Sequence, residues 1–319
     1  MKQILTFTFV VLALLSSAAV AEDSNRIILD PDRVTPDYHI QGEYSGELDG
    51  VKHGMQVIAQ GDNQFKSVLY PGGLPGDGYI GSGRVFAEGA AEGGVTKFSS
   101  DAGYVLIHDG AAKIFVNDSP QGELKRVERM SRSLGQQPLE GAIVLFDGSS
   151  AGNFVNGTIM LEDLLLAECE SKQKFGDHRL HLEFRIPYQP YDRGQSRGNS
   201  GVYMQGRYEL QVLDSFGLEG ENNECGGVYS IAKPKVNACF PPLTWQTYDI
   251  DFNAARWDNG VKVENARVTI RHNGILIHDD LELKTGTPGK YPEEEGPGSL
   301  YLQGHGNQVM YRNIWVVEK

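Results

Sequence analysis

Residues 201–214, GVYMQGRYELQVLD, contain two short runs in which apolar and polar side chains alternate. Val202 and Met204 oppose Tyr203 and Gln205, and further on Leu210 and Val212 oppose Glu209 and Gln211. A period of two marks a half-buried strand, because successive Cβ atoms point to opposite faces and only one face packs. The pattern recurs in HLEFRIPY, WQTYDIDF, ARVTIRHNGILIHDD, SLYLQGH and VMYRNIWVVE, among Asn-Gly and Asp-Gly turns. Residues 139–319 are therefore expected to be all-β, a jelly-roll β-sandwich rather than an α/β fold.

Residues 25–138 read the same way on a smaller scale. HGMQVIAQ, FKSVLY, YVLIHDG and KIFVND are strand-like and are separated by turn clusters such as PGGLPGDG. They predict a small antiparallel β domain. SLGQQPLEGA, residues 133–142, is a polar connector that places the domain boundary near residue 139.

The chain opens MKQILTFTFVVLALLSSAAVAED, with one Lys, an almost unbroken apolar run and the small-residue site Ala19-Val20-Ala21. That is the layout of a secretory signal peptide over residues 1–21, cleaved after Ala21, and it implies an exported protein, periplasmic or extracellular. No Cys follows the site to carry a lipid, and no later run of about 20 apolar residues could span a membrane. Cleavage leaves about 298 residues with 28 basic and 42 acidic side chains, a net charge of −14. Such a balance favours solubility and excludes the basic patch that a nucleic-acid partner requires. Of Cys169, Cys225 and Cys239, the last two are the natural disulfide in an oxidising compartment. They bracket the loop GGVYSIAKPKVNA, and closing a loop of about 15 residues is worth roughly 3 kcal/mol. Cys169 is expected to be a buried thiol.

Chemistry is expected on YELQVLD. Glu209 and Gln211 share a face, and Asp214 joins them only if a bulge at Val212-Leu213 shifts the register by one. Two carboxylates on one face repel, which raises one pKa, keeps that group protonated near neutrality and allows acid/base work. The neighbouring strands add polar faces: Tyr301, Gln303 and His305 in SLYLQGHG, His181, Glu183 and Arg185 in HLEFRI, and Tyr203 after the turn residues Asn199 and Ser200. Tyr, Gln, Asn, Glu and His suit sugars, whose hydroxyls need fixed donors and acceptors while their ring faces stack on aromatics. An ordinary solvated sheet shows the same alternation.

Other motifs are weaker. GDGYIGSG from Gly76 matches a nucleotide-loop pattern, but no βαβ unit surrounds it. His272 and His278 flank an Asn-Gly hairpin turn rather than forming a metal site, and YPEEEGPG, residues 291–298, reads as a solvated acidic loop. Asn156-Gly157-Thr158 is a formal glycosylation sequon.

From about Ala142 to Glu318 the chain resembles the 3-keto-disaccharide hydrolase domain family. The segments are VLFDG, GNSGVYMQ, YELQVLDS, CGGVYSIAKPKVNACFPPLTWQTYDIDF, VTIRHNGILIHDD and LYLQGHGNQVMYRNIWV, in order. The resemblance implies a concanavalin A-like jelly roll and hydrolysis, in bacterial sugar scavenging, of glycosides already oxidised at C3. A C3 ketone acidifies the C2 hydrogen, so a base removes that proton, an acid assists loss of the C1 substituent, and water then adds. Glu209, Asp214 and His305 are the expected catalytic groups, and Gln211, Gln303, Asn199, Tyr203 and Tyr301 the expected sugar contacts. No cofactor is expected; a divalent cation is compatible with the resemblance, but no spacing here marks a metal site. The oligomeric state is left open.

Two other readings compete with this one: a non-catalytic carbohydrate-binding module, and a glucanase-type glycosidase. YELQVLD is similar to the E-x-D-x-x-E strand of laminarinase and lichenase-type glucanases, with Gln211 replacing the middle acid and Asp214 the last. That departure puts a double displacement, which needs two carboxyls about 5 to 5.5 Å apart, in doubt.

Overall fold

The computed structural model describes residues 27–319, so the leader expected at 1–21 lies outside the described residues. Two β units follow one another along the chain. The first is a closed barrel of eight strands, β1 (Gly42–Leu48), β2 (Val51–Gly61), β3 (Gln64–Pro71), β4 (Val85–Glu92), β5 (Val95–Ser100), β6 (Gly103–His108), β7 (Ala111–Val116) and β8 (Ser119–Val127). Each strand pairs antiparallel with the next, and β1 closes on β8 with Glu43 opposite Val127. Closure removes the free edges that an open sheet of this size would present. Tyr44, Met55, Val57, Phe65, Phe98 and Leu124 fill the interior.

The second unit is a sandwich of two sheets. Its strands in chain order are β9 (Ile143–Phe146), β10 (Phe154–Val155), β11 (Ile159–Met160), β12 (Leu164–Leu166), β13 (Cys169–Phe175), β14 (His178–Arg185), β15 (Ser200–Met204) and β16 (Tyr208–Val212). They continue with β17 (Trp245–Asn253), β18 (Arg256–Asp258), β19 (Val261–Glu264), β20 (Ala266–His272), β21 (Ile275–Leu283), β22 (Gly298–Leu302) and β23 (Met310–Glu318). One sheet has the order β10-β13-β22-β15-β16, and the other β11-β12-β23-β14-β17-β20-β21 with β9 on β23. β18 and β19 form a small separate ribbon. The predicted Asn-Gly turn joins β20 to β21, with Asn273 and Gly274 both at positive φ as a type I′ turn requires. Between the sheets, Val202, Met204, Leu210 and Val212 meet Leu182, Phe184, Tyr248 and Ile250. The all-β sandwich expected from alternation is the observed fold.

Barrel and sandwich share apolar surface. Phe216 of the sandwich is buried with Ile58, Val68 and Tyr70 of the barrel. Arg197 donates to the Ala59 carbonyl at 3.2 Å, and Arg193 to the Gln60 carbonyl at 2.8 Å. No helix among the described residues is long and apolar enough to cross a membrane.

Two expectations about the fold need correction. Cys225 and Cys239 are free and buried, as is Cys169, so the disulfide is not formed. Backbone pairing holds the loop instead: Gln211 exchanges hydrogen bonds with Gly226 and Gly227, and Lys235 donates to Ile277. The Cys225 Sγ lies 3.2 Å from the Tyr248 hydroxyl, and the Cys239 thiol faces the Leu213 and Phe240 carbonyls. The acidic loop 291–298 is exposed over most of its length, as expected, with Glu293 half-buried. Glu293 accepts from Tyr208 at 2.6 Å and from Lys262 at 2.7 Å, and Glu294 pairs with the buried Arg207.

The second correction concerns HLEFRI. β14 belongs to the other sheet, so His181, Glu183 and Arg185 do not share a surface with Glu209. The interdomain connector covers His181 and Glu183, while Arg185 donates to the Leu29 carbonyl. Ser133 donates to Asp249 at 2.5 Å, Asp249 accepts from His181 at 2.6 Å, and the Gly135 N–H donates to Glu183 at 2.6 Å. Burial opposes ionisation of Glu183, but hydrogen bonds from His181, Asn313, Arg312 and Gly135 overrule it and hold its carboxyl down at about 2. The cluster straps the connector to the sandwich.

A cleft around a buried carboxylate

The outward-facing side chains of β15 and β16 alternate with the core ones as the sequence predicts. Tyr203 lies directly opposite Glu209, and Gly201 opposite Gln211. β16 is the edge of its sheet, yet it is not exposed. The segment 225–229 runs along it, with the Tyr229 N–H donating to the Glu209 carbonyl and Leu210 bridging to Val228. At the same edge, Thr287 Oγ1 accepts from the Glu209 N–H at 2.9 Å. These loops turn an edge strand into the floor of a cleft of about 210 Å³.

Glu209, Gln211, Asn199, Tyr203, Gln303 and His305 all line this cleft, as the sequence suggested. Glu209 is only 3% exposed. Burial raises its carboxyl to about 7, and a hydrogen bond from Tyr203 pulls it back only in part. The Gln211 carboxamide lies 2.9 Å from Glu209 Oε1. With its nitrogen turned inward it donates to that oxygen and to the Ser200 carbonyl at 3.0 Å. Gln303 donates to the Tyr203 hydroxyl at 3.0 Å, while its own Oε1 is buried without a partner among the described residues. An unpaired buried acceptor is costly, and a ligand hydroxyl would satisfy it. Asn199 is held by Gln195, to whose carbonyl it donates at 2.8 Å. His305 is exposed at the rim, beyond the end of β22.

Two expected residues stand elsewhere. Tyr301 lies behind Tyr203, the ring centroids 5.4 Å apart, with the Lys290 ammonium 4.0 Å above its ring. Asp214 does not reach the cleft. The predicted bulge is absent: β16 pairs with β15 in unbroken register and ends at Val212, and Asp214 turns to the buried Arg197, whose Nε donates to it at 2.6 Å. Glu209 is thus the one carboxylate lining the cleft among the described residues.

Sequence reading missed Gln195, Tyr229, Pro288 and Gly289, which complete the walls. Gln195 sits in a single 3₁₀ turn, Gly194–Ser196, with no periodic signal to mark it. Tyr229 lies inside the segment CGGVYSIAKPKVNA, which was read for its cysteines. Gly289 is required sterically, since a Cβ there would lie 2.3 Å from Tyr203 Cε1. No three His, Cys, Asp or Glu side chains converge as a metal-ligand set among the described residues.

A solved structure of a proposed glycosyl hydrolase from Parabacteroides distasonis is 30% identical, covers 56% of this chain and 84% of its own, and superposes with a TM-score of 0.51. A second proposed glycosyl hydrolase from the same organism is 16% identical over 56% of this chain and 94% of its own, with a TM-score of 0.42. No curated protein sequence matches significantly. Residues 141–317, the whole sandwich and its cleft, match the 3-keto-alpha-glucoside-1,2-lyase-like domain, and the chain belongs to that family.

Proposed function

We propose that the protein is an exported enzyme that cleaves 3-keto-glycosides by proton abstraction, elimination and hydration. The observation that supports this most is the single desolvated carboxylate. A base for the C2 hydrogen of a 3-keto sugar works best with a pKa near the operating pH, and burial brings Glu209 to about 7. Glu209 takes the C2 proton, the electron pair closes a C1–C2 double bond, and the C1–O bond breaks. The departing oxygen takes a proton from an acid, the role we give to His305 at the rim. Water adding at C1 with protonation at C2 completes the hydrolysis. Tyr203, Gln211, Asn199 and Gln303 would hold the sugar hydroxyls, with Gln303 Oε1 accepting one of them.

A glycosidase of the retaining or inverting kind needs two carboxyl groups flanking the bond. The cleft walls supply one, which disfavours the glucanase reading. The domain family and the structural relatives support carbohydrate chemistry in general, while the 3-keto specificity rests on the base. Incubation with a 3-keto-disaccharide and with its unoxidised parent tests the proposal. Cleavage of the keto sugar alone is expected; cleavage of the parent alone would overturn it in favour of a conventional glycosidase, and binding without cleavage in favour of a lectin-like module.

A further inference from the structure

A second cleft, of about 250 Å³, opens where the barrel meets the sandwich. Its apolar walls include Ile58 and Phe86 from the barrel and Phe216 from the sandwich. Phe86 is 55% exposed, an unusual position for a large aromatic, with the Arg84 guanidinium 5.2 Å from its ring. Three cations line the same space: Lys66, Arg193 and Arg197.

Arg197 is 4% exposed and only partly satisfied. Its Nε donates to Asp214, its Nη1 to the Ala59 carbonyl, and its Nη2 has no partner among the described residues. Arg193 spends its donors on the carbonyls of Pro190, Asp192 and Gln60, so its charge has no carboxylate bonded to it. Asp214, the acid in the wall, already accepts from Arg197, and Lys66 pairs loosely with Glu88 at 3.6 Å. A buried guanidinium with an idle arm, beside a second guanidinium and beneath aromatic walls, matches a planar anion that also carries apolar surface.

We propose that this interdomain cleft binds a small aryl carboxylate. The carboxylate would accept from Arg197 Nη2 and lie in the field of Arg193, with the ring against the exposed Phe86. The site is separate from the cleft of Glu209, although both draw on the segment 193–199, which sends Arg193 and Arg197 to one and Gln195 and Asn199 to the other.

Benzoate and cinnamate are suitable probes, with benzyl alcohol as the uncharged counterpart, in ligand-observed NMR and calorimetric titrations of the full chain. Binding of the two acids with a dissociation constant below about 1 mM is expected. Benzyl alcohol should bind at least about tenfold more weakly. Arg197→Lys should abolish binding of the acids. Because that change touches a buried pair, Phe86→Ala supplies a variant at an exposed position, and it should weaken binding about tenfold. Equal binding of benzyl alcohol, no binding of either acid, or unchanged affinity in Phe86→Ala would each overturn the proposal.

Discussion

Glu209 shows what a single burial does to a carboxyl group. Its folded value of about 7 stands above the ordinary 4.5, so between those two pH values the folded chain holds a proton that the unfolded chain has lost. Stability contributed by this group is therefore present at low pH and falls as pH rises through 7, by up to about 3 kcal/mol. Glu209→Gln should remove that loss, giving denaturation curves whose pH dependence is flatter between 4.5 and 7. The same substitution should lower turnover by roughly 10²–10⁴-fold. In the wild type, kcat/KM should climb with pH and level off above a midpoint near 7, because only the ionised form takes the proton. A flat profile would take the base role away from Glu209. Gly289→Ala should also lower kcat, since the new methyl would displace the Tyr203 ring from its place opposite Glu209. Unaltered kinetics in that variant would mean that Tyr203 is not needed where it stands.

At the scale of the strand, alternation was readable because a period of two leaves no choice of face. It placed Tyr203, Glu209 and Gln211 together without any three-dimensional information. Two things were not readable. Val212-Leu213 can be a bulge or the end of a strand, and the deciding partner, Arg197, lies 17 residues upstream. Alternation also says which side chains of β14 face outward but not from which sheet, so HLEFRI could be assigned to the wrong surface. The structure gives Asp214 a structural task. Asp214→Asn leaves Arg197 buried without its counter-charge and should cost about 3–5 kcal/mol. Measured below its lowered melting point, the variant should keep a near-normal kcat; a loss of 10²-fold or more would return Asp214 to the chemistry.

For the whole molecule, the barrel and sandwich are expected to unfold together. Phe216 is buried in a cluster with Ile58, Val68 and Tyr70, and the Arg197 side chain links Asp214 to the Ala59 carbonyl of the other unit. Calorimetry should show one transition in the wild type, and Phe216→Ala, which removes about 3–5 kcal/mol of packing, should separate it into two. Two transitions in the unaltered protein would show that the interface does not couple the units. The enzyme reading itself turns on one atom, the hydrogen at C2. The direct measurement is cleavage of a 3-keto-disaccharide in D₂O, with deuterium at C2 of the product followed by NMR in the wild type and in Glu209→Gln. Deuterium at C2 that appears with cleavage and disappears with Glu209 is the predicted result; cleavage that leaves the C2 hydrogen in place would contradict it.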